Sequence, residues 1–113
     1  MHEYSIVQSL VDRVEALARA RGGATVERLE VSIGEVAGVE VGLLETAYET
    51  YRPGTICESA ELHIRVVPAL WACRTCGGAI EKGRALGCAA CGGLATLVAG
   101  DEIVLERIEL EVL

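Results

Sequence analysis

Four cysteines in two identical pairs constrain this chain more than any other feature. Cys73 and Cys76 enclose two residues, as do Cys88 and Cys91, and two glycines follow each pair. Glycine can adopt the positive φ that turns backbone N–H groups toward a preceding sulfur. Two such knuckles place four thiolates around one point, and tetrahedral thiolate sites favour Zn²⁺. The spacing therefore predicts a four-cysteine zinc site.

Two other interpretations of the paired cysteines stay open at this point. Two disulfides would need an oxidising compartment, and the opening Met1-His2-Glu3 lacks the basic n-region of a secretory signal. A rubredoxin-like iron site would use the same four ligands, but no other motif supports a redox role. Four protein ligands leave no open coordination position, so we expect a structural zinc rather than a catalytic one.

Composition narrows the possible partners and the cellular location. The 113 residues suit one domain, or one domain that carries a small module, and 51% of them are hydrophobic. A net charge of −7 argues against binding nucleic acid, which needs clustered Lys and Arg. No apolar run approaches the roughly 20 residues that span a bilayer. We therefore expect a cytoplasmic protein that contacts neither nucleic acid nor membrane.

Hydrophobic periodicity predicts two helices. Residues 5–21 have a helical apolar stripe, with a capping-box pattern at Ser5 and Gln8 and a stop at Gly22. A second helix opens at about Val39 and Glu40 and ends before Pro53. The predicted stripes comprise Ile6, Val7, Leu10, Val11, Val14, Leu17 and Ala18 in the first helix, and Val39, Leu43, Leu44, Ala47, Tyr48 and Tyr51 in the second.

Alternating apolar residues predict strands around residues 29–33, 62–66 and 103–112. The alternation changes parity near Arg107, which indicates a bulge or two short strands. We expect an α+β fold: two helices on a small, about three-stranded mixed sheet, with an inserted four-cysteine zinc-ribbon module. The predicted domains are 1–68 plus 101–113, and 69–100 for zinc.

Other reactive residues have simple structural explanations. Cys57 should pack as a small apolar side chain, and Trp71 should pack against the zinc module. His63 alternates with apolar neighbours and should lie on the surface. The chain has no Ser-His-Asp set, phosphate loop or paired carboxylates at a credible spacing, so we expect no enzyme activity.

His2 offers unusual chemistry if it binds a metal, although a histidine near a chain end is most often solvent-exposed and inactive. Its ring nitrogen, its own amide nitrogen and the adjacent terminal amine can form fused chelate rings around one ion. Imidazole and deprotonated amides suit square-planar Ni(II) or Cu(II).

Several segments together resemble the HypA/HybF family of hydrogenase nickel-incorporation proteins. They are the opening Met1-His2-Glu3-Tyr4-Ser5, the segment Val31-Ser32-Ile33-Gly34-Glu35-Val36-Ala37-Gly38-Val39-Glu40, the stretch from Gly54-Thr55 to Pro68, and the paired cysteines. The resemblance covers essentially the whole chain.

The resemblance implies a nickel metallochaperone with two metals. His2 would anchor Ni(II) as transferred cargo, with backbone nitrogens of His2 and Glu3 assisting. Cys73, Cys76, Cys88 and Cys91 would hold a separate structural zinc. The implied partners are an accessory GTPase and the large-subunit precursor of a [NiFe]-hydrogenase, and some members also serve urease maturation.

The chain departs from the family pattern in its histidines. Some relatives have a histidine in or beside the zinc module that completes the nickel shell, but here the only other histidine is His63. We expect the terminal amine of Met1 to substitute, with Glu40 and His63 as open alternatives. A zinc-ribbon adaptor without nickel is the second functional hypothesis, and a nucleic-acid-binding ribbon is the third. Monomer and homodimer both remain open.

Overall fold

The computed structural model describes residues 2–81 and 87–112, apart from the side chains of His2 and Ala24. These ranges contain two helices and six strands in two three-stranded sheets, with the strand orders β2-β1-β6 and β4-β3-β5. In chain order the elements are α1 (His2–Ala20), β1 (Gly23–Gly34), α2 (Val41–Tyr51), β2 (Glu61–Val67), β3 (Leu70–Cys73), β4 (Ala79–Ile80), β5 (Ala95–Ala99) and β6 (Ile103–Val112). The predicted α+β fold with a four-cysteine module is confirmed.

Two compact units divide the chain. The helix–sheet unit comprises Met1–Ser32, Val39–Arg65 and Val104–Leu113, and the cysteine unit comprises Ile33–Gly38 and Val66–Ile103. No helix in the described residues is long and apolar enough to cross a membrane.

Helix α1 buries a narrower stripe than its sequence predicts. Val7, Val11, Val14 and Ala18 are at most 4% exposed, and their spacing of three and four residues places them on one helix face. Leu17 is 42% exposed, so its predicted place in the buried stripe is wrong. The capping-box prediction is also wrong, because α1 begins at His2 and already includes Ser5.

Helix α2 begins at Val41, so Val39 lies outside it, contrary to its predicted place in the apolar stripe. The side chain of Glu40 accepts a hydrogen bond from the amide of Gly42 at 3.3 Å, which caps the helix. Leu44 is buried, whereas Leu43 is 57% exposed, contrary to its predicted position. Helix α2 packs against α1, where the rings of Tyr4 and Tyr51 meet edge to face at a centroid distance of 5.4 Å.

The phenol of Tyr48 connects α2 to the segment that leads into β2. Its hydroxyl donates to the carbonyl of Ala60 at 2.8 Å, and the guanidinium of Arg52 donates to the same oxygen at 2.8 Å. Cys57 is fully buried beside this phenol, which confirms that it packs as a small apolar residue. Burial raises the pKa of the Cys57 thiol to about 11.

Strand β6 is one continuous element, so the alternative of two short strands is wrong. Its exposure pattern changes parity between Glu106 and Arg107, where both side chains are exposed. On the neighbouring β1, the buried hydroxyl of Ser32 donates to Glu106 at 2.8 Å. This hydrogen bond satisfies a polar group that would otherwise be costly to bury.

The cysteine unit has more regular structure than the sequence indicates. Strands β4 and β5 both pair antiparallel with β3, in a region where the spacing of glycines and cysteines suggests mostly loop. Trp71 packs against a small core of Cys73, Ile80 and Cys88, as predicted.

Backbone hydrogen bonds hold the turn after β1 against other segments of the cysteine unit. The amides of Glu35 and Val36 donate to the carbonyls of Val67 and Gly100, each at 2.8 Å. The Glu35 carboxylate accepts from the amide of Ala69 at 2.8 Å. Any side chain at Gly34 would overlap the backbone of Gly100, so the two segments can cross only with glycine there.

We predict that Tyr48→Phe lowers the free energy of unfolding by about 1 kcal/mol, the usual net value of one hydrogen bond. The loss should be modest because Arg52 still donates to the Ala60 carbonyl. Urea unfolding of the metal-loaded protein measures the change. Tyr51→Phe is the control, since Tyr51 is only partly buried and its ring packs against Tyr4. Equal effects of the two substitutions would contradict this role of the buried hydroxyl.

Candidate metal centre

Two knuckles with matching backbone geometry carry the four cysteines. In the first, the Gly77 amide donates to the carbonyl of Cys73 at 3.0 Å, and the Cys73 amide donates to the carbonyl of Gly78 at 2.8 Å. In the second knuckle, Gly92, Cys88 and Gly93 make the corresponding two bonds, both at 2.8 Å.

A positive φ at one glycine closes each knuckle. The φ angles are 75° at Gly77 and 74° at Gly92, in the region that side chains disfavour. Because each sharp turn comes directly after the second cysteine, the chain folds back on the first cysteine of the pair. The repeat in the sequence is therefore also a repeat in three dimensions.

The four sulfur atoms converge as the sequence predicts. They all lie within 4.8 Å of one another. Two separations between the knuckles are 3.4 Å, from Cys73 to Cys91, and 3.7 Å, from Cys76 to Cys88. A disulfide needs about 2.05 Å, so these cysteines are not bonded to one another.

The donor set and its spacing fit a tetrahedral metal ion. Metal–sulfur bonds of about 2.3 Å place tetrahedral sulfurs about 3.8 Å apart, close to the two short separations. Four soft thiolate ligands in this arrangement suit zinc or iron. All four ligand positions come from the protein, so the site has no open position at which a substrate could bind.

Backbone amides prepare the first cysteine of each knuckle to be a thiolate. The N–H groups of Cys76 and Thr75 point at the Cys73 sulfur, at 3.5 Å and 3.4 Å, and lower the Cys73 pKa to about 6. The Cys91 and Ala90 amides likewise lower the Cys88 pKa. Since the thiolate is the form that binds metal, these amides favour binding at neutral pH.

Crowding of the sulfurs has the opposite effect on Cys91. The Gly93 amide lowers the pKa of Cys91, but hydrogen bonds with the Cys73, Cys76 and Cys88 thiols and burial outweigh it and raise the pKa to about 12. Four sulfurs this close cannot all be charged without a cation between them. Metal binding must therefore release at least one proton, and affinity should rise with pH.

Gly93 has a second function that the sequence did not reveal. A β-carbon at this position would lie 2.6 Å from the Cys73 sulfur and 2.8 Å from the Thr75 hydroxyl. The cysteine spacing indicated that glycines were needed for the turns, but not that Gly93 leaves room for a sulfur of the other knuckle. In the sequence, the one indication of this role is that Gly93 lies two residues after Cys91.

The predicted nickel residues are less fully described. Met1 and the side chain of His2 lie outside the described residues. Glu3 lies in the first turn of α1, and Glu40 caps α2. His63 is on the surface as predicted, 3.0 Å from Glu61. Among the described residues, the four cysteines are the one group whose side chains are close enough to share a metal ion. The side chains of Glu3, Glu40 and His63 therefore do not form a second metal site with one another.

Comparison with known proteins gives one consistent result. Residues 1–110 match the family described as "Hydrogenase/urease nickel incorporation, metallochaperone, hypA". The hydrogenase maturation factor HypA of Aquifex aeolicus is 41% identical over 114 residues, with 99% of each chain covered. HypA of Shewanella sp. (strain MR-7) is 38% identical, over 98% of this chain and 96% of its own.

Solved structures agree with the sequence relatives. The solution structure of the nickel metallochaperone HypA from Helicobacter pylori matches with a TM-score of 0.74 and 27% identity, over 97% of both chains. A second solution structure of a HypA protein matches with a TM-score of 0.80 and 29% identity, over 98% of this chain and 97% of its own.

We predict that Gly93→Ala weakens metal binding at the cysteines by at least about fivefold. Its β-carbon would displace the Cys73 sulfur or Thr75, and overpacking of this kind costs roughly 1–3 kcal/mol. Competition between the zinc-loaded protein and a chromogenic chelator measures the change. Gly87→Ala is the matched control, since a β-carbon there meets no described atom within 4 Å apart from its chain neighbours. Identical zinc affinities for the two variants would show that the sulfur does not need this space.

Proposed function

Because this chain belongs to the HypA family of hydrogenase and urease nickel-incorporation metallochaperones, we propose that it binds Ni(II) at its N-terminus and delivers the ion to the large-subunit precursor of a [NiFe]-hydrogenase. The family match from residue 1 to residue 110 carries this proposal, since it includes both the opening Met1-His2-Glu3 and the four cysteines. The chain is a metallochaperone and not an enzyme.

The proposed nickel ligands are nitrogen atoms at the start of α1. They are the ring and amide nitrogens of His2, the amide nitrogen of Glu3 and the amine of Met1. The helix begins at His2, and the first amides of a helix have no helical carbonyl to which they can donate. Binding through these nitrogens would therefore break no hydrogen bond within the helix.

We assign a structural zinc to Cys73, Cys76, Cys88 and Cys91. The sulfur separations and the amides directed at Cys73 support this assignment. When bound, zinc supplies the positive charge that allows four thiolates to lie this close. The protein's own part is to hold the two knuckles in register through the antiparallel pairing of β3 with β5.

The proposed partners follow from delivery of nickel to a hydrogenase. They are an accessory GTPase of the insertion machinery and the hydrogenase large-subunit precursor, with urease maturation proteins as further recipients. The acidic surface supports protein partners rather than nucleic acid. We propose a cytoplasmic location, with nickel bound by residues 1–68 plus 101–113 and zinc by residues 69–100.

We predict that His2→Ala abolishes high-affinity nickel binding and leaves the zinc in place. His63→Ala should bind nickel normally, because its ring is exposed beside Glu61 and outside the proposed ligand set. Calorimetric titration of Ni(II) into the zinc-loaded proteins compares them with the native chain. Unchanged affinity in His2→Ala would leave the zinc-ribbon adaptor as the better hypothesis, whereas a loss only in His63→Ala would move the site to β2.

We also predict that nickel affinity falls as the pH drops from about 7 to about 6, the range in which imidazole takes up a proton. A short peptide fused before Met1 should weaken nickel binding if the amine is a ligand. The same calorimetric titration at several pH values, with and without the fusion, tests both points. Full affinity in the fused protein would exclude the amine while leaving the histidine assignment standing.

A further inference from the structure

A groove of about 250 Å³ separates helix α1 from strand β6 within the helix–sheet unit. Leu17 contributes to it from the helix, and Leu105, Ile108 and Leu110 contribute from the strand. Leu17 is 42% exposed although it adjoins the buried stripe of α1. The groove is therefore a small apolar surface that the fold leaves open to solvent.

The rim of this groove is positively charged on an acidic protein. Arg13, Arg21 and Arg107 line it, while the chain as a whole has ten Lys and Arg residues against 17 Asp and Glu. Among the described residues, Arg107 lies 3.6 Å from the carboxylate of Glu109, whereas no carboxylate pairs with Arg13 or Arg21. The single carboxylate that lines the groove, Glu106, accepts a hydrogen bond from Ser32. The groove thus complements an acidic partner.

Strand β6 also offers a free backbone edge. It lies at the end of the order β2-β1-β6, so in the described part of the chain one side of it is not paired with another strand. Such an edge presents N–H and C=O groups to which an extended segment can add. The strand that carries this edge also contributes Leu105, Ile108 and Leu110 to the lining of the groove.

The spacing of the helix residues matches the repeat of an extended strand. Arg13 and Arg21 are eight residues apart on α1, a distance of about 12 Å along a helix that rises 1.5 Å per residue. Residues i and i+4 of a strand lie about 13 Å apart on the same face. Leu17 lies midway between the two arginines, so it would face residue i+2 of an extended strand whose residues i and i+4 face the arginines.

We propose that this groove docks an extended segment of a partner protein that has the pattern acidic–x–apolar–x–acidic. The segment adds to the edge of β6, its two carboxylates reach Arg13 and Arg21, and its central apolar side chain covers Leu17. All of these contacts lie within the helix–sheet unit, so docking of the segment does not depend on nickel binding.

A synthetic peptide with blocked ends, Thr-Glu-Thr-Leu-Thr-Glu-Thr, is the probe. Titrated into ¹⁵N-labelled, zinc-loaded full chain at low salt, it should give saturable amide shifts along α1 and β6. Thr-Lys-Thr-Leu-Thr-Lys-Thr should bind much more weakly, and so should Thr-Glu-Glu-Leu-Thr-Thr-Thr, which keeps the charge but loses the spacing. Equal binding of either control peptide would overturn the proposal.

Charge-matched variants test the protein side. Arg13→Glu and Arg21→Glu should each weaken peptide binding about fivefold or more, since an attraction becomes a repulsion. Arg19→Glu should change it less than twofold, because Arg19 does not line the groove and pairs with Glu15 at 3.5 Å. Equal losses of peptide affinity in all three variants would show that only the net charge of the protein matters, and would overturn the proposal.

The apolar contact has its own matched pair. Leu17→Asp should abolish binding, whereas Leu43→Asp, at a leucine 57% exposed on α2, should not. Sedimentation of the same two variants tests whether a second copy of this chain occupies the groove instead. A dimer that Leu17→Asp dissociates and Leu43→Asp leaves intact would assign the groove to that copy and overturn the partner-segment proposal.

Discussion

The convergence of four cysteine sulfurs within 4.8 Å is the contact on which the whole cysteine unit depends. Among the described residues, the apolar core around these sulfurs is a small cluster of Cys73, Ile80 and Cys88, with Trp71 and Ala95 packed against it. A core this small contributes too little apolar burial to offset the entropy of ordering the chain. Four thiolates alone would repel one another. We therefore expect metal binding and folding of the region around the cysteines to be coupled.

Local chemistry explains which parts of this arrangement the sequence predicts. A cysteine pair followed by two glycines determines its own turn, because the hydrogen bonds that close a knuckle join residues at most five positions apart. Convergence of the two knuckles also followed from the repeat, since tetrahedral coordination needs all four sulfurs. The role of Gly93 did not follow, because its steric conflict is with a sulfur in the other knuckle.

Periodicity predicted the elements better than their buried faces. Leu17 and Leu43 lie at the edge of their apolar stripes, and whether such positions are covered depends on how neighbouring elements pack. Ser5 and Gln8 satisfied a capping pattern, yet the helix starts three residues earlier, at His2. The crossing of Gly34 and Gly100 was also outside what the sequence indicates, because those residues are far apart along the chain. Strand pairing is long-range information that a local pattern does not contain.

The two metal sites differ in how strongly the fold depends on the bound metal. A metal held by four cysteines is part of the folded cysteine unit, so we expect its removal to weaken the strand pairing that brings the two knuckles together. The proposed nickel site uses first-turn amides, which the helix does not need for its own hydrogen bonds. The positive end of the helix dipole there disfavours a bare cation but favours deprotonated amides, whose charge nickel would neutralise. Cargo could thus enter and leave at the start of α1 without breaking the hydrogen bonds of the helix, which a chaperone requires and a structural metal site does not.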